Sequence, residues 1–283
     1  MAPQEADRIA PFLAEERAFV YSFGGYGLEL RGGTLVTNER IAVPAFNFVQ
    51  ELRAGRGELT SLLERALDHY FQRALRPTFR VPTPVPPEVR SALERLGFRE
   101  REEPRTLHRR ATDAGGEARD ARYAVRPATE PELALFEALW TDSGTPERAE
   151  FHRFLELAVQ AERAGERCVP LVAIRDGRPV ASALAHRFGS VWGLHGLATA
   201  PAARGRGAAS ELALAAWGSA LPDPPVDLTL WSASARLGAR LDRLGFAEVA
   251  RYAEFVLPPQ AELALTPAAP SPGPRWRPPR NRS

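Results

Sequence analysis

The sequence predicts an α/β (α+β) chain, with strands and helices alternating, arranged as two related units of unequal length. Three observations lead there. The 283 residues, 44% hydrophobic and 25% charged, can bury two cores of ordinary domain size. Two amphipathic helices, "SALERLGF" and "GARLDRLGF", both stop at Gly-Phe (Gly97-Phe98 and Gly245-Phe246), and upstream of each a Gly-Arg-Gly opens another helix. The intervals Gly57 to Gly97 and Gly207 to Gly245 agree within two residues, which predicts a degenerate internal repeat. From Arg122 the order then reads strand, two helices, three strands, helix, strand, helix, strand.

Taken in order, residues 1–111 form the shorter unit. Strands are expected in "AFVYSFGGYGLELR" (18–31), "GTLVTN" (33–38) and "AFNFVQEL" (45–52), followed by the repeated helix, strand and helix. The unit lacks the strand and helix pair that opens the longer one. Asn47, with Phe46 and Phe48, is either an ordinary strand residue or part of an interface between the units. Residues 112–121 are small, charged and aperiodic, as in a linker.

The longer unit, 122–257, opens with a short strand and a helix whose N-cap is Thr129, with Glu132 three residues on and Leu133, Phe136 and Leu139 on its apolar face. A second helix is expected from about Pro146 to Arg163. Asp176-Gly177 and Phe188-Gly189-Ser190 then punctuate three apolar strands, on which Trp192 reads as core or pocket wall, as does Trp231 further on. Residues 258–283, rich in proline and arginine, are expected to be a disordered tail.

Composition removes several classes of function. There is no lysine, so all 37 basic residues are arginine, and chemistry that needs a Walker lysine or a Schiff base is excluded. The single Cys168 forms no internal disulfide and, without clustered histidines, begins no metal site, so no metal is expected. A net charge of +2, one Arg-Gly-Arg-Gly and no aromatic-basic motif argue against nucleic acid as partner. No apolar run approaches the roughly 20 residues that span a bilayer, and Glu5, Asp7, Glu15 and Glu16 are unlike a signal segment. A cytoplasmic protein without membrane partners is the expectation.

The most informative stretch is "ATAPAARGRGAASELALAAW", Ala198 to Trp217. A glycine loop feeding a helix N-terminus gathers unpaired N–H groups and the positive end of the helix dipole at one point, which suits an anion. Gly205 and Gly207 permit close approach, Ala208, Ala209 and Ser210 keep bulk away, and Arg204 and Arg206 add guanidinium donors. The missing lysine excludes a P-loop, and the missing third glycine excludes a dinucleotide-binding turn. A solvated basic turn is the alternative.

With "LWSASARLGARLDRLGF" after this stretch and "YAVRPATEPELALFEAL" before it, the chain from Arg122 to Leu257 resembles the GNAT superfamily of acyl-CoA-dependent N-acetyltransferases. The resemblance implies a mixed, mostly antiparallel sheet flanked by helices, complete in the second unit and truncated in the first. In that family Arg/Gln-x-x-Gly-x-Gly/Ala binds the acyl-CoA pyrophosphate, and Arg204, Gly207 and Ala209 take its three specified places. The backbone of Leu197, Ala198 and Thr199 is implied to hold the acyl arm and the thioester oxygen, with Gly205, Arg206 and Ala208 completing the cradle. The first unit has Ala54 and Leu59 where Arg204 and Ala209 stand, and is expected to bind CoA poorly.

Departures limit the catalytic assignment. The position where some members carry a basic Glu is Gly193, which cannot act. His195, two residues on and on the same strand face, is the candidate base, with a packed core histidine as the alternative and His186 a weaker candidate. The family's frequent Tyr falls at Leu241 and its frequent Asn near Ser234, which is carried as a CoA contact. Tyr252 is left as the candidate acid provided its strand turns it inward. The expected function is transfer of an acetyl group from acetyl-CoA to a primary amine of a small molecule or peptide, in a tandem-domain protein compatible with a homodimer. The alternative is a non-catalytic acyl-CoA sensor or scaffold.

Overall fold

The computed structural model describes residues 3–52, 56–111, 122–129, 132, 168–218, 221, 226–232 and 235–258. It opens with a helix, α1 (Pro3–Ser22), where the sequence suggested none, and the strand expected from Ala18 begins only at Tyr26. The reason is burial. Ile9, Phe12, Leu13, Phe19 and Val20 recur at helical spacing and are all buried, and this face outweighs the strand preference of "AFVY".

The first unit continues with β1 (Tyr26–Leu30), β2 (Gly33–Thr37), β3 (Phe48–Gln50), α2 (Arg56–Phe71), β4 (Thr78–Pro82), α3 (Pro87–Arg95), β5 (Arg99–Glu100) and β6 (Arg105–Ala111). The second contains β7 (Ala124–Pro127), β8 (Cys168–Arg175), β9 (Arg178–Phe188), β10 (Val191–Thr199), α4 (Ala208–Gly218), β11 (Asp227–Ser232), α5 (Ala235–Asp242) and β12 (Ala247–Val256). The helices expected between Glu132 and Arg163, the linker 112–121, Ser234 and the tail beyond Pro258 lie outside the described residues. Thr129 and Glu132 do bond reciprocally: the Thr129 N–H donates to Glu132 Oε2 at 2.8 Å, and the Glu132 N–H donates to the Thr129 carbonyl at 2.9 Å.

The repeat is visible in the topology. β2 and β3 are antiparallel and β3 and β4 parallel, with α2 between them; β9 and β10 are antiparallel and β10 and β11 parallel, with α4 between them. α3 and α5 end alike: Phe98 N–H donates to the Leu93 carbonyl and Phe246 N–H to the Leu241 carbonyl, with Gly97 at φ 86° and Gly245 at φ 80°. This six-to-one closure requires a left-handed residue, which is why both helices stop on glycine.

All the strands join one sheet in the order β1-β2-β3-β4-β12-β6-β11-β10-β9-β8-β7, with β5 on β12. The two units exchange their last strands. β6, from the first unit, pairs with β11 of the second, and β12, from the second, pairs with β4 of the first. Phe255 on β12 accordingly sits in the core built on α2 and α3. A second core lies beneath α4 and includes Trp192, Leu212, Leu241 and Phe246.

The opposite face of the sheet is covered by α1, whose Phe19 and Val20 pack with Phe48 of the first unit and with Val172 and Leu184 of the second. Consecutive acids on α1 are tied to different units. Glu16 accepts from Arg80 Nη1 of β4 at 2.9 Å, and Arg80, 1% exposed, also donates through Nε to Glu254 of β12 at 3.1 Å. Glu15 points to the second unit. Asn47 is structural: fully buried, it accepts from the Asn38 N–H at 2.8 Å and donates to the Ile41 carbonyl at 2.9 Å. No described helix is long and apolar enough to cross a membrane.

Candidate acyl-CoA and proton-transfer site

The loop between β10 and α4 begins with a short 3-10 turn, Pro201–Ala203, and passes through Gly205 (φ 76°) and Gly207 (φ 99°) into the helix at Ala208. Only glycine adopts these dihedrals without cost. The first intrahelical bond here is Glu211 N–H to the Gly207 carbonyl at 3.0 Å, so the preceding amides of the first turn face outward from the helix end. The Glu211 carboxylate accepts from the N–H groups of Arg122 (2.8 Å) and Tyr123 (3.0 Å), and Tyr123 Oη donates to the Arg206 carbonyl at 3.3 Å, which ties the start of the second unit to the loop.

Beside the loop is a cavity of about 710 Å³ lined by Arg122, Arg175, Gly205, Arg206 and Arg240. Four guanidiniums around one glycine loop form a site for a polyanion. Arg236 and Arg240, one turn apart on α5, close the far side: a Cβ on Gly207 would lie 2.8 Å from Arg240 Nη2, and one on Gly205 would lie 3.5 Å from Arg236 Nη2. Of the loop residues named from the sequence, Gly205 and Arg206 line this cavity, whereas Arg122, Arg175 and Arg240 in its lining, and Arg236 beside Gly205, were not named. The only sequence signal for the last two is their i,i+4 spacing in "ARLGARLD".

The strand leading into the loop opens away from its parallel neighbour. β10 pairs with β11 from Val191 to Leu194 and no further among the described residues, although it continues along β9 to Thr199. The break coincides with a bulge between His195 and Ala198, centred on Gly196 at φ 60°. Leu197, Ala198 and Thr199 therefore present a strand edge toward the gap, suited to an extended amide-bearing chain. In this structure Arg204 Nε donates to the Thr199 carbonyl at 3.1 Å.

His195 stands at the first residue of the gap. Its Nε2 donates to Glu15 Oε1 at 2.9 Å, and its ring stacks on Phe19 with centroids 3.6 Å apart and planes 4° from parallel. His186 Nδ1 donates to the same Glu15 oxygen at 3.0 Å, while its Nε2 lies 3.0 Å from Ser22 Oγ. Burial pushes the Glu15 carboxyl up, but His195 and His186 outweigh it and hold it below the ordinary carboxylate range. Ligand atoms of Glu15, His186 and His195 all lie within 4.8 Å of one another, so the three could also hold a metal ion. The two short contacts to a single oxygen have hydrogen-bond lengths.

The other candidates lie apart from this cluster. Tyr252 does turn inward, 1% exposed, but it belongs to the buried cluster of Ile9, Phe12, Leu13 and Leu107 beneath α1, its ring 5.6 Å from that of Trp231. β6 and β11 separate its strand from β10, roughly 14 Å at three interstrand steps. Leu241 is buried core. Another polar pair joins the units at the end of β11, where Ser232 Oγ lies 3.0 Å from His108 Nε2 of β6.

A mixed sheet whose one parallel pair in each unit carries the helix crossover, with a gap and a glycine loop in the second, defines the class of GNAT-like folds. Residues 132–220 match the model of the acetyltransferase (GNAT) family, and the second unit carries a GNAT domain. A GCN5-related N-acetyltransferase from Kribbella flavida shares the fold with TM-score 0.60 at 15% identity, over 88% of this chain and 96% of that one. A functionally unknown conserved protein from Staphylococcus epidermidis does so with TM-score 0.65 at 9% identity, over 83% and 94% of the two chains. A GCN5-related N-acetyltransferase from Sphaerobacter thermophilus gives 0.56 at 18% identity, over 81% of each. At these identities the likeness is one of fold, and it runs through both units. No curated protein matches the chain.

Proposed function

We propose that the protein is an acetyl-CoA-dependent N-acetyltransferase that acts on a primary amine by direct attack. The observation that carries this reading is the meeting, at one end of β10, of a strand edge unpaired among the described residues, a glycine loop with two left-handed residues and a cavity lined by four arginines. The amides of Gly205 and of Gly207 to Ala209, with the side chains of Arg204, Arg206 and Arg240, would hold the pyrophosphate. Leu197 to Thr199 would bond the pantetheine amides as an added strand and present an N–H to the thioester oxygen. His195 accepts the proton of the incoming ammonium at Nδ1, because Nε2 is committed to Glu15. The first unit supplies α1, and its own loop has buried Leu59 where the second has Ala209, which supports a role in shaping the site rather than in holding CoA.

The acceptor is a small amine or a peptide N-terminus, and the setting is the cytoplasm. The experiment is to incubate the full chain with acetyl-CoA and a library of polyamines, aminoglycosides, amino-acid amides and short peptides while measuring free thiol. Amine-dependent release supports the reading. Binding of acetyl-CoA without release for any amine favours a non-catalytic acyl-CoA sensor, and absence of binding removes both.

A further inference from the structure

We infer that Glu15, on the N-terminal helix, is the positioning residue of the transfer site, so that the site in the second unit is completed by a carboxylate from the first. The inference rests on the acetyl-transfer reading above. Its starting point is Gly193, inside β10 and flanked by strands on both sides. Its φ lies outside the left-handed region, so the backbone does not require glycine, and glycine in a strand interior weakens the strand. What requires it is space. A Cβ at Gly193 would lie 2.3 Å from Glu15 Oε2 and 2.4 Å from Glu15 Cδ. The strand gives up a side chain at this position to admit a carboxylate delivered by α1.

That carboxylate sets the chemistry of His195. An ionised carboxylate only accepts, so the His195 nitrogen 2.9 Å from it carries a proton, and in the neutral ring the lone pair is left on Nδ1. Nδ1 makes no hydrogen bond among the described residues, and the side chain keeps 9% exposure at the point where β10 parts from β11. Phe19 fixes the ring plane from the same helix. In the reaction His195 Nδ1 takes a proton from the acceptor ammonium, and the freed amine lone pair bonds to the thioester carbon. The carbon–sulfur bond breaks, the thiolate leaves with its electron pair, and the second proton of the attacking nitrogen passes to that thiolate, so the products are the neutral amide, the thiol and the His195 imidazolium. Glu15 stabilises the imidazolium that forms and excludes the other tautomer, as an acid behind a histidine does in other acyl-transfer sites. His186, on the same oxygen, holds the carboxylate in place.

The test uses the full chain. In the wild type, nitrogen-15 NMR of the histidine rings should show His195 protonated on Nε2 and bare on Nδ1. Glu15→Gln should lower kcat about 100-fold with the acetyl-CoA KM within about threefold. Glu15→Ala/Gly193→Asp, which returns a carboxylate to β10, should recover about tenfold over Glu15→Ala. The inference is overturned by a Glu15→Gln variant with wild-type kcat where His195→Ala has lost it, or by a His195 protonated on Nδ1. It is equally overturned if the purified chain carries one equivalent of metal whose removal abolishes activity, which would make the three groups ligands. A wild type that releases no thiol with any amine fails the acetyl-transfer reading instead, and the tautomer measurement, needing no turnover, still decides whether Glu15 governs His195.

Discussion

His195 has a ring fixed by Phe19, one nitrogen committed to Glu15, and a place on β10 where pairing with β11 ends among the described residues. Replacing it with alanine should therefore lower kcat about 100-fold while leaving the KM for acetyl-CoA nearly unchanged, as read from initial rates of thiol release. An unchanged kcat would remove it as base. Two buried carboxylates add a pH dependence of stability. Burial pushes both Glu15 and Glu254 up, but the histidines around the first and Arg105, Arg80 and Arg101 around the second bring each below its ordinary range. Groups depressed in the folded state contribute stability that is complete above the unfolded pKa, about 4.3, and lost as pH falls below it. Urea midpoints should thus drop below pH 4.3, less steeply in Glu254→Gln, and a midpoint that rises on acidification would contradict this. At this scale the sequence exposed Arg204, Gly207 and Ala209 because their motif is local, and it placed His195 by register with them. Glu15 was hidden by its separation of 180 positions from His195. The trace it left was an absence, a glycine in mid-strand with no turn to explain it.

Among the elements, α1 is the one the sequence reading lost and the one on which the two units depend. Periodicity over residues 9–20 was sufficient to find it, but aromatic and β-branched residues near Phe19 read equally as strand, and only tertiary burial decides between them. By contrast the repeated helices were legible to their ends, because a Gly-Phe stop acts through local hydrogen bonds. α1 anchors to β4 through Glu16 and Arg80, a guanidinium that also bonds Glu254 and stacks on Phe48 at 3.5 Å. Removing it leaves two carboxylates in the interior with one fewer counter-charge. Arg80→Ala should cost about 3–5 kcal/mol in urea denaturation, and a loss under about 1 kcal/mol would mean the network is incidental.

For the molecule as a whole, the exchange of β6 and β12 makes one sheet of two repeats. β6 is bonded on one side to β11, from Thr106 opposite Ser232 to Ala111 opposite Asp227, and on the other to β12. A protease site inserted at residue 116 and cut in the folded protein should leave the fragments associated on a gel-filtration column in native buffer. Separation into two folded monomers would show the units to be independent. The sequence could count the repeats but could not show this exchange, since a strand carries the same alternation whichever neighbour it joins.

Whether the glycine loop of the second unit holds acyl-CoA is decided by calorimetric titration of acetyl-CoA into the wild-type chain and into Gly207→Glu. At φ 99°, with Arg240 2.8 Å from any Cβ, the substitution adds strain, bulk and negative charge where phosphate would sit. Saturable binding to the wild type and none to the variant is expected, with both chains showing the same far-ultraviolet circular dichroism. Equal affinity in the two, or no binding to either, would contradict it.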